Sequence, residues 1–183
     1  MSRLAKGQEA ALNDLMERHA QRLFQYLLRS LQNESDAADL AQETFVRVYQ
    51  NRARFDAHHK FSTWLYAIAS NLVRDRYRWR SRHPQISLEA ETEANSALKD
   101  TLFASNPGPD KELQNEERAD AVRQAVAALP EELRQPLILA IYQDLPQADI
   151  AAILKCSVKA VETRIRRARQ QLRLRLGDLA PTS

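Results

Sequence analysis

The chain has 183 residues, enough for one domain or two small ones. Three glycines, one cysteine and a wealth of Ala, Leu, Arg, Gln and Glu argue against a sheet protein and exclude an internal disulfide. The net charge of +3 conceals a segregation: residues 1–83 carry 14 basic and 9 acidic side chains, residues 84–120 carry 3 and 9, and residues 121–183 carry 10 and 6. Two basic blocks around an acidic segment fit two polyanion-binding modules and a solvated linker, although ordinary surface charge gives similar totals. No apolar run reaches the ~18 residues that a bilayer span needs, and no apolar signal core opens the chain, so a cytosolic protein without membrane insertion is expected. His58-His59 lack companions at metal-ligand spacing and read as polar loop; no metal or cofactor is expected.

In chain order, helical periodicity begins near Gln8 with Leu12, Leu15 and Met16. It continues through Leu23, Tyr26, Leu27 and Leu31 after a break near His19. Asn33-Glu34-Ser35 reads as a turn, with Ser35 or Asp36 as N-cap of a second helix running to about Arg52. Its apolar face is Ala37, Leu40, Ala41, Phe45, Val48 and Tyr49. Residues 55–60 form a polar loop, and Ser62 or Thr63 starts a third helix with Phe61, Trp64, Leu65, Ile68, Leu72 and Val73 as its core stripe. These helices make a first domain, 8–83. Residues 84–112, with Pro84, Pro107, Gly108 and Pro109, read as a partly disordered linker. A second domain, 113–179, follows: a helix through Val122 and Val126, another from Glu131 to about Asp144 in which Pro136 predicts a kink, and a short one opened by Pro146. The fold class is all-α, two small helical domains joined by a flexible acidic linker.

The end of the chain carries the clearest motif. LPQADIAAILKCSVKAVETRIRRARQQLRLRL has the layout of a helix-turn-helix whose second helix enters a DNA groove. Val158, Val161, Ile165, Ala168, Leu172 and Leu176 form the inner seam, and between Lys155 and Arg175 stand eight basic residues and one acid. Ser157 is a good N-cap and leaves a positive helix end for a phosphate. Arg forks onto guanine, and Thr and Glu also reach base edges. A solvated charged face is the plainer alternative, but such faces usually mix signs. Upstream, RDRYRWRSR from Arg74 interleaves five arginines with Tyr77 and Trp79. Arginine neutralises phosphate and aromatic faces stack on unpaired bases, which favours single-stranded or melting DNA. On that reading Tyr77 and Trp79 are surface residues, Phe61 belongs to the core, and Trp64 fits either. DAADLAQETFVRVYQ leaves Asp36, Asp39, Gln42 and Glu43 off its apolar face, which is explained either by helix-dipole compensation or by docking to a basic partner. No Gly-rich phosphate loop, nucleophile elbow or Ser/His/Asp or Cys/His constellation is present, so an enzyme is not expected.

DAADLAQETFVRVYQNRARFD, KFSTWLYAIASNLVRDRYR and ALPEELRQPLILAIYQDLPQADIAAILKCSVKAVETRIRRARQQLR together resemble the extracytoplasmic-function sigma factors of bacterial RNA polymerase, in their second and fourth conserved regions. The resemblance implies a protein that directs core polymerase to promoters and assists strand opening. It implies docking on the β′ clamp helices through Asp36, Asp39, Gln42 and Glu43, and a contact of the second domain with the β flap. It implies capture of flipped −10 bases by the 56–60 loop and third helix, with Lys60, Asn71, Arg74, Tyr77 and Arg78 as candidates. It implies −35 duplex reading by Ser157, Lys159, Glu162, Thr163, Arg166 and Arg167, and an anti-sigma factor as a further partner. One departure lies in the turn: Lys155 or Cys156 stands where such proteins often have glycine, and a side chain forced to positive φ costs on the order of 1 kcal/mol. A stand-alone helix-turn-helix regulator is the competing reading; it needs a dimer seam, and it leaves the Arg/aromatic helix without a role.

Overall fold

The computed structural model describes residues 1–83 and 109–177. Among them, all regular structure is helical: α1 Ser2–Ala5, α2 Ala10–Leu31, α3 Glu34–Gln50, α4 Phe61–Arg82, α5 Pro109–Ala127, α6 Glu131–Ile141, α7 Gln147–Leu154 and α8 Val158–Leu176, with a 3₁₀ turn at Arg52–Arg54. The expected linker falls mostly outside the described residues; its last part, from Pro109, already opens α5. Proline in a first turn sacrifices an N–H that has no intrahelical partner anyway.

α2, α3 and α4 pack pairwise on one another, and α6, α7 and α8 do the same, with α5 laid on α8. Both groups share one apolar core, because α4 packs on α7 and α2 on α6. Its fully buried members run from Leu4 through Leu23, Leu27 and Leu65 to Ile138 and Ile150. Leu4 belongs to α1, ahead of the expected start of structure, where a single leucine on one short turn gives no periodicity to read.

Several boundaries differ from the sequence expectations. α2 passes His19 unbroken; the His19 ring is edge-on to Phe61 at 5.0 Å, so the polar side chain is accommodated without a bend. Asn33, not Ser35 or Asp36, caps α3: its backbone is extended and its Oδ1 accepts the Asp36 N–H at 2.8 Å. α4 starts at Phe61, one or two residues before the hydroxyls expected to begin it, and Lys60 at its N-cap makes no side-chain cap bond. α6 stops at Ile141 and contains Pro136 in its second turn. The carbonyl deprived of its partner there is that of Glu132, an exposed residue, so water can satisfy it.

Contacts between the two groups are polar as well as apolar. Arg134, 8% exposed, donates Nη1 to the Ser30 carbonyl at 2.9 Å and to the Tyr77 hydroxyl at 2.7 Å, and Nε and Nη2 to the Leu129 carbonyl. A buried guanidinium is costly unless its donors are satisfied, and here oxygens from α2, α4 and the loop before α6 do this. Gln135 lies beside it, accepting from Ser70 Oγ at 2.6 Å and Tyr26 Oη at 3.3 Å while donating to Glu131. Tyr66 donates to Gln143, the Arg29 guanidinium covers the Tyr142 ring at 4.3 Å, and Lys60 pairs with Asp149 at 3.2 Å.

Candidate nucleic-acid interface

α8 is held by Val161, Ile165 and Ala168, all buried, at spacings of four and three that put them on one side. Leu172 and Leu176 are half-buried, and Val158, expected in the seam, is 43% exposed because it sits at the first turn, beyond the edge of α7. Ser157 caps the helix, its Oγ accepting the Ala160 N–H at 3.2 Å. Lys159, Glu162, Arg166 and Arg167 are exposed; Thr163 is half-buried, with its hydroxyl donating to the Lys159 carbonyl. Of the six residues expected to face duplex, Lys159, Glu162, Arg166 and Arg167 are exposed on the helix, Ser157 is exposed at its cap with its Oγ engaged, and Thr163 presents mainly its methyl. A groove of about 480 Å³ runs along the same helix between Gln147, Glu162, Arg166, Arg169 and Arg173. The turn before α8 is made by Lys155 at φ 52°, ψ 49°, a left-handed helix cap occupied by a residue with a Cβ. Arg164 closes the turn from the other side, with Nη1 3.6 Å from Cys156 Sγ.

On α4 the predicted residues are divided. Asn71, Arg74 and Arg78 share a face, Asn71 Oδ1 accepting from Arg74 at 3.3 Å and Arg78 lying 3.7 Å from Asp75. Lys60 stands exposed at the head of the helix. Tyr77 does not lie on the surface as expected: its hydroxyl donates to the Ser30 carbonyl and accepts from Arg134, and burial pushes its pKa above the ordinary value. Tyr66 behaves likewise, its hydroxyl pushed up to about 12 by desolvation. Trp79 is the aromatic residue that is exposed, stacked on His83 at 4.8 Å. Phe61 and Trp64 are both half-buried and form a cluster with Phe55, whose ring lies 5.2 Å from Trp64. Phe55 stood outside every helical period, and an apolar residue out of period was its one sequence signal. Beside this cluster Asp56 turns the loop back, accepting the His58 N–H at 2.9 Å; that bond, first among several, holds its carboxyl below the ordinary range.

The acidic face of α3 is narrower than the sequence implied. Asp36 is withdrawn from it: its carboxylate is clamped by Arg76 at 2.6 Å and Arg80 at 2.5 Å, and only 15% of the side chain is accessible. Those partners lie 40 and 44 residues away, beyond any local pattern. Asp39 and Gln42 are exposed, and Glu43 pairs with Arg47 at 2.8 Å. Val46, 46% exposed, falls on the same stripe as Asp39, Gln42 and Glu43. Its signal was a valine left off the apolar face. A groove of about 620 Å³ flanks the stripe, walled by Leu40, Leu72, Arg76 and Trp79. Among the described residues no His, Cys, Asp and Glu cluster could hold a metal ion, and no helix is long and apolar enough to cross a membrane.

Comparison with known proteins gives these surfaces a context. Residues 15–83 match the family model for sigma-70 region 2 and residues 119–172 that for sigma-70 region 4. The chain is 34% identical to the ECF RNA polymerase sigma factor SigW of Bacillus subtilis, over 98% of this chain and 96% of the relative. Among solved structures it is similar to CnrH in complex with the cytosolic domain of CnrY (TM-score 0.69, 28% identity, 98% of this chain and 96% of that one). It also shares the fold of the sigma factor RpoE from Bartonella quintana, solved with the anti-sigma factor NepR (TM-score 0.68, 22% identity, 90% and 96%). An Arg/aromatic helix, an acidic helix beside it and a terminal helix-turn-helix, matched end to end by these relatives, make the chain a member of the sigma-70 family, an ECF RNA polymerase sigma factor that acts in transcription initiation.

Proposed function

We propose that the three surfaces divide the work of promoter recognition. α8 reads −35 duplex through Lys159, Glu162, Arg166 and Arg167, with Ser157 offering the helix end to a phosphate and Thr163 its methyl to a base. The strip of Lys60, Asn71, Arg74 and Arg78 on α4 holds the unpaired −10 strand, with Tyr77 at its border. Asp39, Gln42 and Glu43 on α3, with Val46 as an apolar centre, dock on the β′ clamp helices of core polymerase, while the second domain meets the β flap. Asp36 is assigned to the fold and removed from the docking set. The chain contributes binding energy and no bond-making chemistry, and it works in the cytoplasm beside the polymerase. An anti-sigma factor is the further partner, supported by the two similar structures, each solved with a second protein.

The observation that carries this reading is the open, predominantly basic face of α8 on the same chain as an open acidic stripe on α3. The stripe is the part to test. Asp39 is exposed, so Asp39→Arg reverses a charge without touching the core. Binding to core polymerase, followed by fluorescence anisotropy of a labelled chain, is expected to weaken about tenfold, the scale of a lost complementary charge pair at an interface. Unchanged holoenzyme assembly would remove α3 from the docking surface.

A further inference from the structure

The 3₁₀ turn at Arg52–Arg54 buries none of its residues, and its closing bond from the Phe55 N–H to the Arg52 carbonyl is long at 3.4 Å. A single turn of this kind has little stability of its own. Its support comes from the start of the chain. α1 packs on it, anchored by the fully buried Leu4. Behind Leu4 the chain reverses at Gly7, φ 86°, a left-handed position at which the Gly7 and Gln8 N–H groups bond back to the Leu4 and Arg3 carbonyls. Arg3 Nε closes the reversal on Gln8 Oε1 at 2.9 Å. Glu9 then accepts the Tyr49 hydroxyl at 2.6 Å; the Arg52 guanidinium covers the Tyr49 ring at 4.2 Å, and its Nη1 donates to the Tyr49 carbonyl. The first nine residues thus hold the turn at two points, through α1 and through Glu9. The turn ends in Phe55, whose ring meets Trp64 at 5.2 Å and Phe61 at 6.3 Å. These half-buried rings stand at the head of α4 beside Lys60, where they offer a face to an unpaired base.

We infer that α1 and Glu9 are a positioning strap for strand capture: the strap holds the 3₁₀ turn, the turn holds Phe55, and Phe55 sets the rings of Phe61 and Trp64 against which the unpaired strand lies. This rests on the assignment of α4 to the −10 strand. None of these strap residues touches DNA. Their effect is on the fraction of chains whose ring cluster is ready for the strand: where that fraction falls to about a tenth, apparent affinity for the strand falls about tenfold. The other surfaces are spared. Glu9 acts at Tyr49, which lies ten residues and about 15 Å along α3 from Asp39, and α8 belongs to the other helix group.

The test uses holoenzyme on a promoter that the unaltered holoenzyme selects from a library randomised at −10 and −35. Closed-complex affinity and the rate of strand opening are measured separately, the latter by permanganate reactivity of the −10 thymines. Leu4→Ala is expected to slow opening about tenfold, with core-polymerase binding and closed-complex affinity unchanged. Leu4→Met, which keeps the volume, is expected to restore the rate. Glu9→Ala alters an exposed residue and leaves the core intact; it is expected to slow opening about threefold, the scale of one lost hydrogen bond. In free chains carrying Trp79→Phe, Trp64 is the one tryptophan, and its emission is expected to shift to the red in Leu4→Ala and to return in Leu4→Met. Unchanged opening in Glu9→Ala, or an equal loss of closed-complex affinity and opening rate in Leu4→Ala, overturns the strap, as does a Trp64 emission that does not move. The assignment of the strand has its own readout, opening by holoenzyme carrying Asn71→Ala and Arg74→Ala. If that stays at the unaltered level, the strand does not lie on α4; if it falls while the strap variants open normally, the strap alone is wrong.

Discussion

α4 and α8 are two arginine-rich helices of similar length, 22 and 19 residues, in opposite situations. α8 is anchored by three small or medium apolar side chains and turns its cations to solvent. α4 is packed against other helices on several sides: Leu65, Ala69 and Val73 enter the core, Tyr66 and Tyr77 bond the second domain, and Arg76 and Arg80 hold Asp36. The same residue type thus stands open to solvent, where recognition is proposed, on one helix and serves architecture on the other. Arginine suits both roles because its planar five-donor fork satisfies several oxygens whether they belong to a phosphate, a carboxylate or a backbone carbonyl.

That contrast can be broken by separating binding from stability. Arg166→Ala in α8 is expected to lower affinity for −35 duplex by about 1–3 kcal/mol, the range of a forked base contact, and to leave the melting temperature unchanged because the side chain is exposed. Footprinting and thermal denaturation of the same sample check both halves. Tyr77→Phe in α4 is expected to do the reverse. It removes the donor to Ser30 and the acceptor of Arg134, at about 1–2 kcal/mol of stability, and leaves −35 duplex affinity unaltered. Chemical denaturation measures this; an unchanged midpoint would show that the covered helix is no more architectural than the open one.

The smallest effect sharpens the comparison at the border between the domains. Burial raises the pKa of Glu131 above its ordinary value, against the opposing pull of Arg74, Arg134 and Arg78 and the hydrogen bond from Gln135. A raised carboxylate pKa means that the folded chain holds this proton more tightly than the unfolded one. The resulting stabilisation is full below the unfolded pKa and is lost as pH rises through the folded one. Glu131→Gln, which keeps the acceptor for Gln135, is therefore expected to raise stability slightly at neutral pH. It also flattens the decline that begins near the unfolded value of 4.5. Denaturation midpoints followed across that range check the sign; a decline as steep as in the unaltered chain would assign it to other groups.

What the sequence made legible was local. The helix-turn-helix, the arginine/aromatic helix and the acidic helix all announce themselves within a window of some twenty residues, through apolar spacing and runs of one charge. The αL residue in the turn was readable too, because a missing glycine leaves few places for the strain to fall: Lys155 takes it. Roles set by distant partners were not legible. Asp36 looks like its neighbours Asp39 and Glu43 until Arg76 and Arg80 arrive from α4. Tyr77 looks like Trp79 until Arg134 approaches from 57 residues along the chain. Val46 and Phe55 fell outside the periods that marked everything else, and an apolar residue out of period was the signal available for both.

The clamp on Asp36 reaches beyond the fold. Of the five arginines in the run from Arg74 to Arg82, Arg76 and Arg80 have their guanidinium forks engaged on the one carboxylate of Asp36 and are not placed for phosphate contact. On the proposed reading Arg74, Arg78 and Arg82 remain to displace counterions from a bound strand, the pairing of Arg78 with Asp75 being long and exposed. With about 0.7 of a counterion released per phosphate contact on single-stranded DNA, this run contributes a slope of about −2 to a plot of log affinity against log salt, where a count from sequence gives about −3.5. If α4 holds the strand as proposed, the ionic strength that dissolves the open complex is set in part by a carboxylate that never touches DNA.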